Sequence, residues 1–351
     1  MYHMIDITDF LRKSSFLPIL DVRTPDEYNR GRIPGSINLP LFSNEERKIL
    51  GILYKQKGRD PAILKGLEFA GKKLKDYVSR AKDISKNHST LVHCWRGGLR
   101  SASIAWLLDT AGIRTYVLKG GYKSYRNYVL KYFQTSFNFL VIGGMTGSGK
   151  TELLQCLKAQ NMQVVDLEAF AHHKGSAFGA LGQAPQTTNE QFENNIFNQL
   201  YQYNTAETIW IEDESQNIGY NLIPKPLFNQ ILHANMIYLD VPVDKRIQRL
   251  VRDYSSFNTD FLKACIQKIS KRLGGTRTDN ALKALDKRRY HEVAESMLQH
   301  YDKTYAFSMT KRDSSKIFKV EINTTDMARI SELVLKLSKD HISTFHPEVK
   351  R

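Results

Sequence analysis

Short apolar runs alternate along the chain with stretches of helical period. In the first third, LPILDV (17–22), STLVHC (89–94) and RTYVLKG (114–120) are compact, apolar and bounded by polar or glycine positions, the pattern of buried parallel strands. Gly66–Val78 and Ser101–Asp109 space their apolar residues as amphipathic helices do. A second series begins at Phe137, where FNFLVIGG (137–144), MQVVDLE (162–168), ETIWIEDE (207–214), NMIYLDVP (235–242) and KIFKVEIN (316–323) predict further strands with helical stretches between them. Strand–helix alternation implies parallel sheets with helices on both faces. Residues 122–136 (YKSYRNYVLKYFQTS) are poor in Gly and Pro and read as a joining helix. The expectation is an α/β protein of two domains, 1–130 and 131–351, without internal repeats or low-complexity tracts.

The length of 351 residues suits two cores, and a composition of 41% hydrophobic and 25% charged residues excludes a disordered or membrane-embedded chain. The opening MYHMIDITDFLRKSS has no basic segment leading into an apolar run, and no apolar stretch approaches the roughly 20 residues that span a bilayer. These features predict a cytoplasmic protein without a membrane partner. Cys94, Cys156 and Cys265 are the three cysteines, odd in number and far apart, which argues against a disulfide framework or a zinc cluster. Cys156 (ELLQCL) and Cys265 (KACIQKI) fall in apolar helical patterns and read as core positions.

The net charge of +15 favours a polyanionic partner. Residues 1–136 carry 24 basic and 12 acidic side chains, against 27 and 24 in residues 137–351. Within the second part, Lys268–Arg289 holds eight basic residues against Asp279 and Asp286. Lys271, Arg272, Arg277, Arg288 and Arg289 are candidate phosphate-backbone contacts there. Arg246, Arg249 and Arg252, three residues apart, share one helix face and could clamp a phosphate or a nucleic-acid backbone. A solvated helix face is the plainer reading of both groups.

In LVHCWRGGLRS a strand delivers His93 and Cys94 into a loop of Trp95, Arg96, Gly97, Gly98 and Leu99, after which Arg100 and Ser101 open a helix. Backbone amides in such a turn form an anion nest and favour a nucleophilic thiolate at Cys94. Upstream, LPILDVRTPDEYNRGRIPGSINLP (17–40) is similar to the rhodanese-like pattern, a resemblance covering about residues 5–130. Five residues separate Cys94 from Arg100, one more than in ordinary sulfur-transferring rhodaneses, so the loop also fits a cysteine-phosphatase signature. The cradle suits a phosphate-sized anion, either a phosphoester or a selenophosphate. A phosphatase needs a general acid, for which Asp21 and Asp26 qualify by type alone. His93 reads as a core residue that orients the loop.

The segment GGMTGSGKTELL (143–154) holds Gly144-x4-Gly149-Lys150-Thr151 between an apolar strand and a helix, the context a phosphate-binding P-loop requires. Amides from Thr146 and Gly147 through Ser148 and Gly149 to Lys150 would surround a phosphate or diphosphate, and Thr151 could ligate Mg²⁺. IWIEDES offers Glu212, Asp213 and Glu214 as the second metal acid; strand alternation prevents all three from facing the site, and Asp213 is the expected ligand. Asp166 and Glu168 close the preceding strand as substrate-side acids or helix caps. AHHKGSAFG (171–179), with His172 and His173, reads as a substrate-contact loop at a strand's carboxyl end.

A rhodanese-like cysteine loop ahead of a P-loop domain resembles the tRNA 2-selenouridine synthase family. HCWRGGLRSAS, GGMTGSGKTELL, DLEAFAHHKGSAFG and WIEDES all carry the resemblance, with Leu99 a conservative departure from Met. The resemblance implies a rhodanese-like parallel-sheet domain followed by a P-loop NTPase-like domain with a basic helical C-terminal part. It implies a transferase that replaces the sulfur of wobble 2-thiouridine in tRNA with selenium from selenophosphate, through an S-geranyl intermediate made from geranyl diphosphate. Selenophosphate and geranyl diphosphate would be co-substrates, with no tightly bound cofactor beyond Mg²⁺. Cys94 would accept selenium while Arg100 holds the departing phosphate. The alternatives are a cysteine phosphatase with a nucleotide-binding regulatory domain, a small-molecule kinase with a rhodanese module and a non-catalytic tRNA-binding protein. The sequence does not choose the tRNA, the use of ATP or GTP, or the oligomeric state.

Overall fold

A computed structural model describes residues 2–342. The last nine residues of the expected second domain lie outside the described residues. The chain divides into two compact units, Met1–Phe133 with Glu193–Asn198, and Gln134–Phe192 with Gln199–Arg351.

The first unit is built on strands β1 (His3–Ile5), β2 (Ile19–Asp21), β3 (Ile37–Asn38), β4 (Ser89–His93) and β5 (Arg114–Leu118), ordered β1-β5-β4-β2-β3 and parallel throughout. Leu20, Val92 and Val117 from the central strands pack with Ile104 and Leu108 of the helix Leu99–Thr110. Each such side chain contributes about 1.5–3 kcal/mol when fully buried. The single helix expected over Gly66–Val78 is two, Arg59–Gly71 and Leu74–Ile84, with the polar pair Lys72–Lys73 forming the turn. The helix Pro25–Arg30 begins at a capping box in which the Thr24 N–H donates to Glu27 Oε2 at 2.9 Å and the Glu27 N–H to the Thr24 hydroxyl at 3.3 Å.

The second unit carries β6 (Phe139–Gly143), β7 (Gln163–Val165), β8 (Ile209–Glu212), a small hairpin of β9 (Asn217–Ile218) and β10 (Asn221–Leu222), then β11 (Asn235–Asp240) and β12 (Ile317–Glu321). Its main sheet is parallel in the order β12-β11-β6-β8-β7. β6 is central, with later strands on both sides, so the carboxyl end of β6 is the switch point where open α/β sheets bind ligands. A separate helical core of Leu262, Ile266, Leu285, Val293 and Met297 follows in the C-terminal half. No helix among the described residues is long and apolar enough to cross a membrane.

Candidate active site

Cys94 follows the central strand β4, where the chain turns into the helix Leu99–Thr110. The loop rests on the turn at Gly120–Gly121. The Tyr122 N–H donates to Cys94 O at 2.8 Å and the Lys123 N–H to Trp95 O at 3.0 Å. Gly121 has φ +60°, and a Cβ there would lie 2.4 Å from Cys94 O and 2.5 Å from Gly97 N, so only glycine permits this approach. Cys94 is buried, with Sγ 3.2 Å from Ser101 Oγ. The Ser101 hydroxyl is also 3.1 Å from Gly98 O. Its one proton serves either Gly98 O or a Cys94 thiolate, and in the first case its oxygen can accept the S–H.

Arg100 makes a two-pronged pair with Glu27 at 2.6 and 3.1 Å. Burial raises the Glu27 pKa, but hydrogen bonding and charge from Arg100 outweigh it and hold the carboxyl below the usual range. Glu27 was not singled out from the sequence; its place in the acidic helix after Asp-Val-Arg was the available signal. His93 is fully buried between Phe10 and Tyr122, with Nε2 3.6 Å from Asp21, and burial pushes its pKa down to about 4. It is neutral at pH 7 and packs in the core. Asp21 is buried in a 2.6 Å pair with Arg23, and Asp26 lies exposed on the first turn of the helix Pro25–Arg30. The acid that meets the Cys94 loop is therefore Glu27, already engaged by Arg100. Trp95 packs at 5.7 Å on Tyr122, while Arg96, Gly98 and Leu99 are exposed.

In the second unit, the loop Gly144–Gly149 leaves β6 and Lys150 opens the helix Lys150–Ala159. Lys150 Nζ donates to Gly144 O at 3.1 Å, and the Thr151 hydroxyl to Glu168 Oε2 at 2.9 Å. Ser148 is buried, and its hydroxyl has no protein partner. An anion held by the loop would satisfy it. Gly149 has φ +89°, and the Arg249 guanidinium would stand 2.9 Å from a Cβ there.

Beside Thr151, one carboxylate oxygen from each of Glu168, Glu212 and Glu214 lies within 4.8 Å of the others. The Glu168 N–H donates to Glu212 Oε1 at 2.8 Å, while Glu212 Oε2 is buried without a partner. Burial raises the pKa of Glu168, against the opposing pull of Lys150 and Thr151, and burial followed by repulsion from Glu168 raises Glu212 and lifts Glu214 to about 8. A hard divalent cation such as Mg²⁺ fits this set of oxygens, with the Thr151 hydroxyl alongside. Asp213, the acid expected from the sequence, lines the same cavity, with its carboxylate engaged by protein partners. Its Oδ2 accepts from Tyr305 at 2.7 Å and its Oδ1 from Arg312. Glu212 and Glu214 bring their carboxylates to Glu168, whereas the intervening Asp213 turns to Tyr305 and Arg312. Asp166 caps the helix Leu167–Ala171, accepting from Ala169 N at 2.8 Å, and burial raises its pKa.

A cavity of about 800 Å³ opens above the phosphate loop. The loop, Glu168, Asp213 and Glu214 contribute polar lining and Phe178, Leu250, Leu262, Val293 and Met297 apolar lining, with further polar side chains such as Asp253 and Lys311 in the wall. Lys174, Gly175 and Ser176 from the loop after Glu168 also line it. His172 and His173 of the same loop face differently: His172 Nδ1 lies 2.9 Å from Pro185 O, and His173 is buried.

Residues 137–332 match the family described as the tRNA 2-selenouridine synthase AAA domain, and residues 6–128 match the rhodanese-like domain. A Shewanella denitrificans protein named tRNA 2-selenouridine synthase is 32% identical over 338 residues, covering 86% of this chain and 91% of that one. The chain belongs to the tRNA 2-selenouridine synthase family. It is accordingly a transferase. A Nitrosomonas eutropha protein of the same name is 31% identical over 354 residues, with 86% and 91% coverage. Among solved structures, the N-terminal domain of a Clostridium difficile protein titled as ATP/GTP binding is 40% identical, with a TM-score of 0.34, covering 36% of this chain and 98% of that one.

The basic residues of this synthase-family chain fall into two groups. Lys271, Arg272, Arg277, Arg288 and Arg289 are exposed, as a contact surface requires, although Arg289 pairs with Glu292 at 3.2 Å. Arg246 and Arg249 are buried, which corrects their reading as open tRNA contacts. Arg246 is 2% exposed, pairs with Asp302 at 2.8 and 2.9 Å and lies 3.3 Å from Thr146 O. Arg249 donates to Gly147 O at 2.8 Å and to Glu152 at 3.1 Å. Their common face is real, but it packs on the phosphate loop, because their donors satisfy loop carbonyls that would otherwise be buried alone. Arg252 is exposed and held by Glu152 and Asp253. Cys156 and Cys265 are half-buried helix residues.

Proposed function

We propose that the chain converts wobble 2-thiouridine in tRNA to 2-selenouridine, with selenophosphate as selenium donor, through an S-geranyl intermediate made from geranyl diphosphate. The observation that carries this reading is the cavity of the second unit, which combines the phosphate loop with apolar side chains in its lining. A P-loop alone would suit a nucleotide, but here it continues into walls of Phe178, Leu250, Leu262, Val293 and Met297. A phosphorylated hydrocarbon matches both kinds of lining, burying its chain at about 25 cal/mol per Å².

At the phosphate loop, Lys150, the loop amides and the Ser148 hydroxyl bind the diphosphate. A cation at Thr151, Glu168, Glu212 and Glu214 would neutralise charge on the leaving diphosphate. The thiocarbonyl sulfur attacks the first carbon of the geranyl group as its bond to diphosphate breaks, and the uridine N3 proton leaves to solvent. Selenium from selenophosphate then replaces geranylthiol at C2, and water takes the phosphorus to phosphate. The Cys94 thiolate attacks the phosphorus of selenophosphate, breaking its bond to selenium and releasing the selenide that attacks C2; the water then hydrolyses the phosphocysteine, while Arg100, set by Glu27, holds the phosphate oxygens. The engagement of Asp21 by Arg23 and the exposure of Asp26 favour this over a phosphatase, which needs an acid at the loop. Lys271, Arg272, Arg277 and Arg288 supply backbone contacts to tRNA. As a tRNA-modifying enzyme the chain is assigned to the cytoplasm.

The test is mass spectrometry of nucleosides from 2-thiouridine-containing tRNA incubated with the protein, selenophosphate and geranyl diphosphate, each omitted in turn. Omitting selenophosphate should leave the S-geranyl nucleoside, and the Cys94→Ser variant should do the same. Selenouridine formed at the parent rate by Cys94→Ser removes the cysteine from the reaction. An unchanged nucleoside in every mixture, with turnover of an aryl phosphate, returns the phosphatase reading.

A further inference from the structure

One helix, Tyr290–Met309, reaches three separate parts of the phosphate site. Tyr301 Oη accepts from the Ala177 N–H at 3.0 Å, in the loop that lines the cavity after Glu168. Asp302 holds Arg246, which in turn reaches Thr146 O. Tyr305 Oη accepts from the Gly144 N–H at 2.9 Å and donates to Asp213 Oδ2 at 2.7 Å. Tyr301 and Tyr305 are four residues apart, so both rise from one face of the helix. Val293, Ala294 and Met297 of the same helix contribute apolar lining to the cavity.

We propose that Tyr305 is a positioning residue that sets the phosphate loop for its diphosphate and ties the loop to the helix against which the hydrocarbon lies. This rests on the reading of the cavity as a diphosphate site. Gly144 is the first residue of the loop, and its amide is held by the Tyr305 hydroxyl, which fixes where the following amides point. The hydroxyl proton is committed to Asp213, whose other oxygen is held by Arg312, and Arg312 is anchored by the Ile231 and Leu232 carbonyls at 2.9 and 3.0 Å. The phenol therefore presents its lone pair to Gly144 and cannot turn its proton there without losing Asp213. Burial and the neighbouring Asp213 raise its pKa, which keeps the proton in place. Tyr305 acts through the loop amides and meets no reacting atom.

The experiment compares the parent with Tyr305→Phe, which keeps the ring and loses the hydroxyl. Calorimetric titration with inorganic pyrophosphate reads the loop alone, and geranylation kinetics read the reaction. Because the loop is set equally before and during reaction, the loss falls on binding. The expected result is a roughly tenfold weaker pyrophosphate affinity, about 1.4 kcal/mol, and a similar rise in KM for geranyl diphosphate, with kcat within about threefold. Unchanged pyrophosphate affinity in the variant, or a fall confined to kcat, overturns the assignment. If the parent itself binds neither pyrophosphate nor geranyl diphosphate, the diphosphate reading falls and the assignment with it. Hydrogen exchange on the parent tests the link without any variant. Pyrophosphate, which has no hydrocarbon, should slow exchange in residues 298–309, and no change there also overturns the proposal.

Discussion

Replacing Glu214 by Gln should make the protein more stable at high pH and leave it little altered at low pH, the reverse of losing a salt-bridged acid. The Glu214 carboxyl is shifted from its ordinary 4.5 to about 8, by burial first and then by the Glu168 charge. The folded state thus binds its proton more tightly than the unfolded chain does. Between those two values the folded protein holds the extra proton, so stability falls as pH rises through that window and stays lower above it. The full displacement would be worth about 5 kcal/mol at 1.36 kcal/mol per pH unit. Glu214 is only half-buried and shares its repulsion with Glu168 and Glu212, so about 1–3 kcal/mol is expected at pH 9. For a unit of this size that corresponds to a gain of roughly 3–8 °C in Tm. The assay is thermal unfolding of parent and Glu214→Gln in chelator at pH 5.5 and pH 9. Adding Mg²⁺ at pH 9 should then raise the parent more than the variant, since a cation relieves the same repulsion. Equal Tm differences at the two pH values, or a variant less stable than the parent at pH 9, would refute the reasoning.

Glu27→Gln should raise the apparent KM for selenophosphate about tenfold by loosening Arg100, because one charge-assisted pair is worth about 1.5–3 kcal/mol. Thr24→Ala, which removes only the helix cap, should cost about 1 kcal/mol of stability and leave that KM alone. Gly121→Ala places a methyl 2.4 Å from Cys94 O at a φ of +60°, so selenouridine formation should fall at least about a hundredfold while S-geranyl nucleoside accumulates. Asp302→Ala strands the Arg246 guanidinium and should cost about 2–4 kcal/mol, seen as a lower denaturant midpoint of the second unit.

The central parallel strands such as β6 and β8 were legible because they are buried on both faces and read as continuous apolar runs. FNFLVI, IWI and NMIYLD were placed within a residue or two of the observed β6, β8 and β11. The same continuity hides the phase of a strand. In IWIEDES the apolar residues lie on both faces, so nothing before Glu212 says which alternate acids turn to the phosphate loop, and Asp213 was chosen over its neighbours. β1, β3 and the hairpin of β9 and β10 are two or three residues long, too short for any period to register. The turn at Lys72–Lys73 was missed because two lysines continue a helical pattern as readily as they interrupt it.

The arginines show a different limit. Spacing of three correctly put Arg246 and Arg249 on one face, but periodicity gives the face and not its neighbour. What decides between solvent and loop is whether partners exist inside, and those partners are distant in sequence: Asp302 lies 56 residues from Arg246, and Gly147 O lies 102 residues from Arg249. A buried guanidinium is tolerated only where such partners converge. The P-loop motif announces a phosphate site through local backbone chemistry, which one segment of sequence can specify. The apolar lining of the cavity comes from Phe178, Leu250, Leu262, Val293 and Met297, spread over more than a hundred residues and each unremarkable as a core position. Only their convergence on one cavity sets them apart from other core positions, and that convergence is a property of the fold.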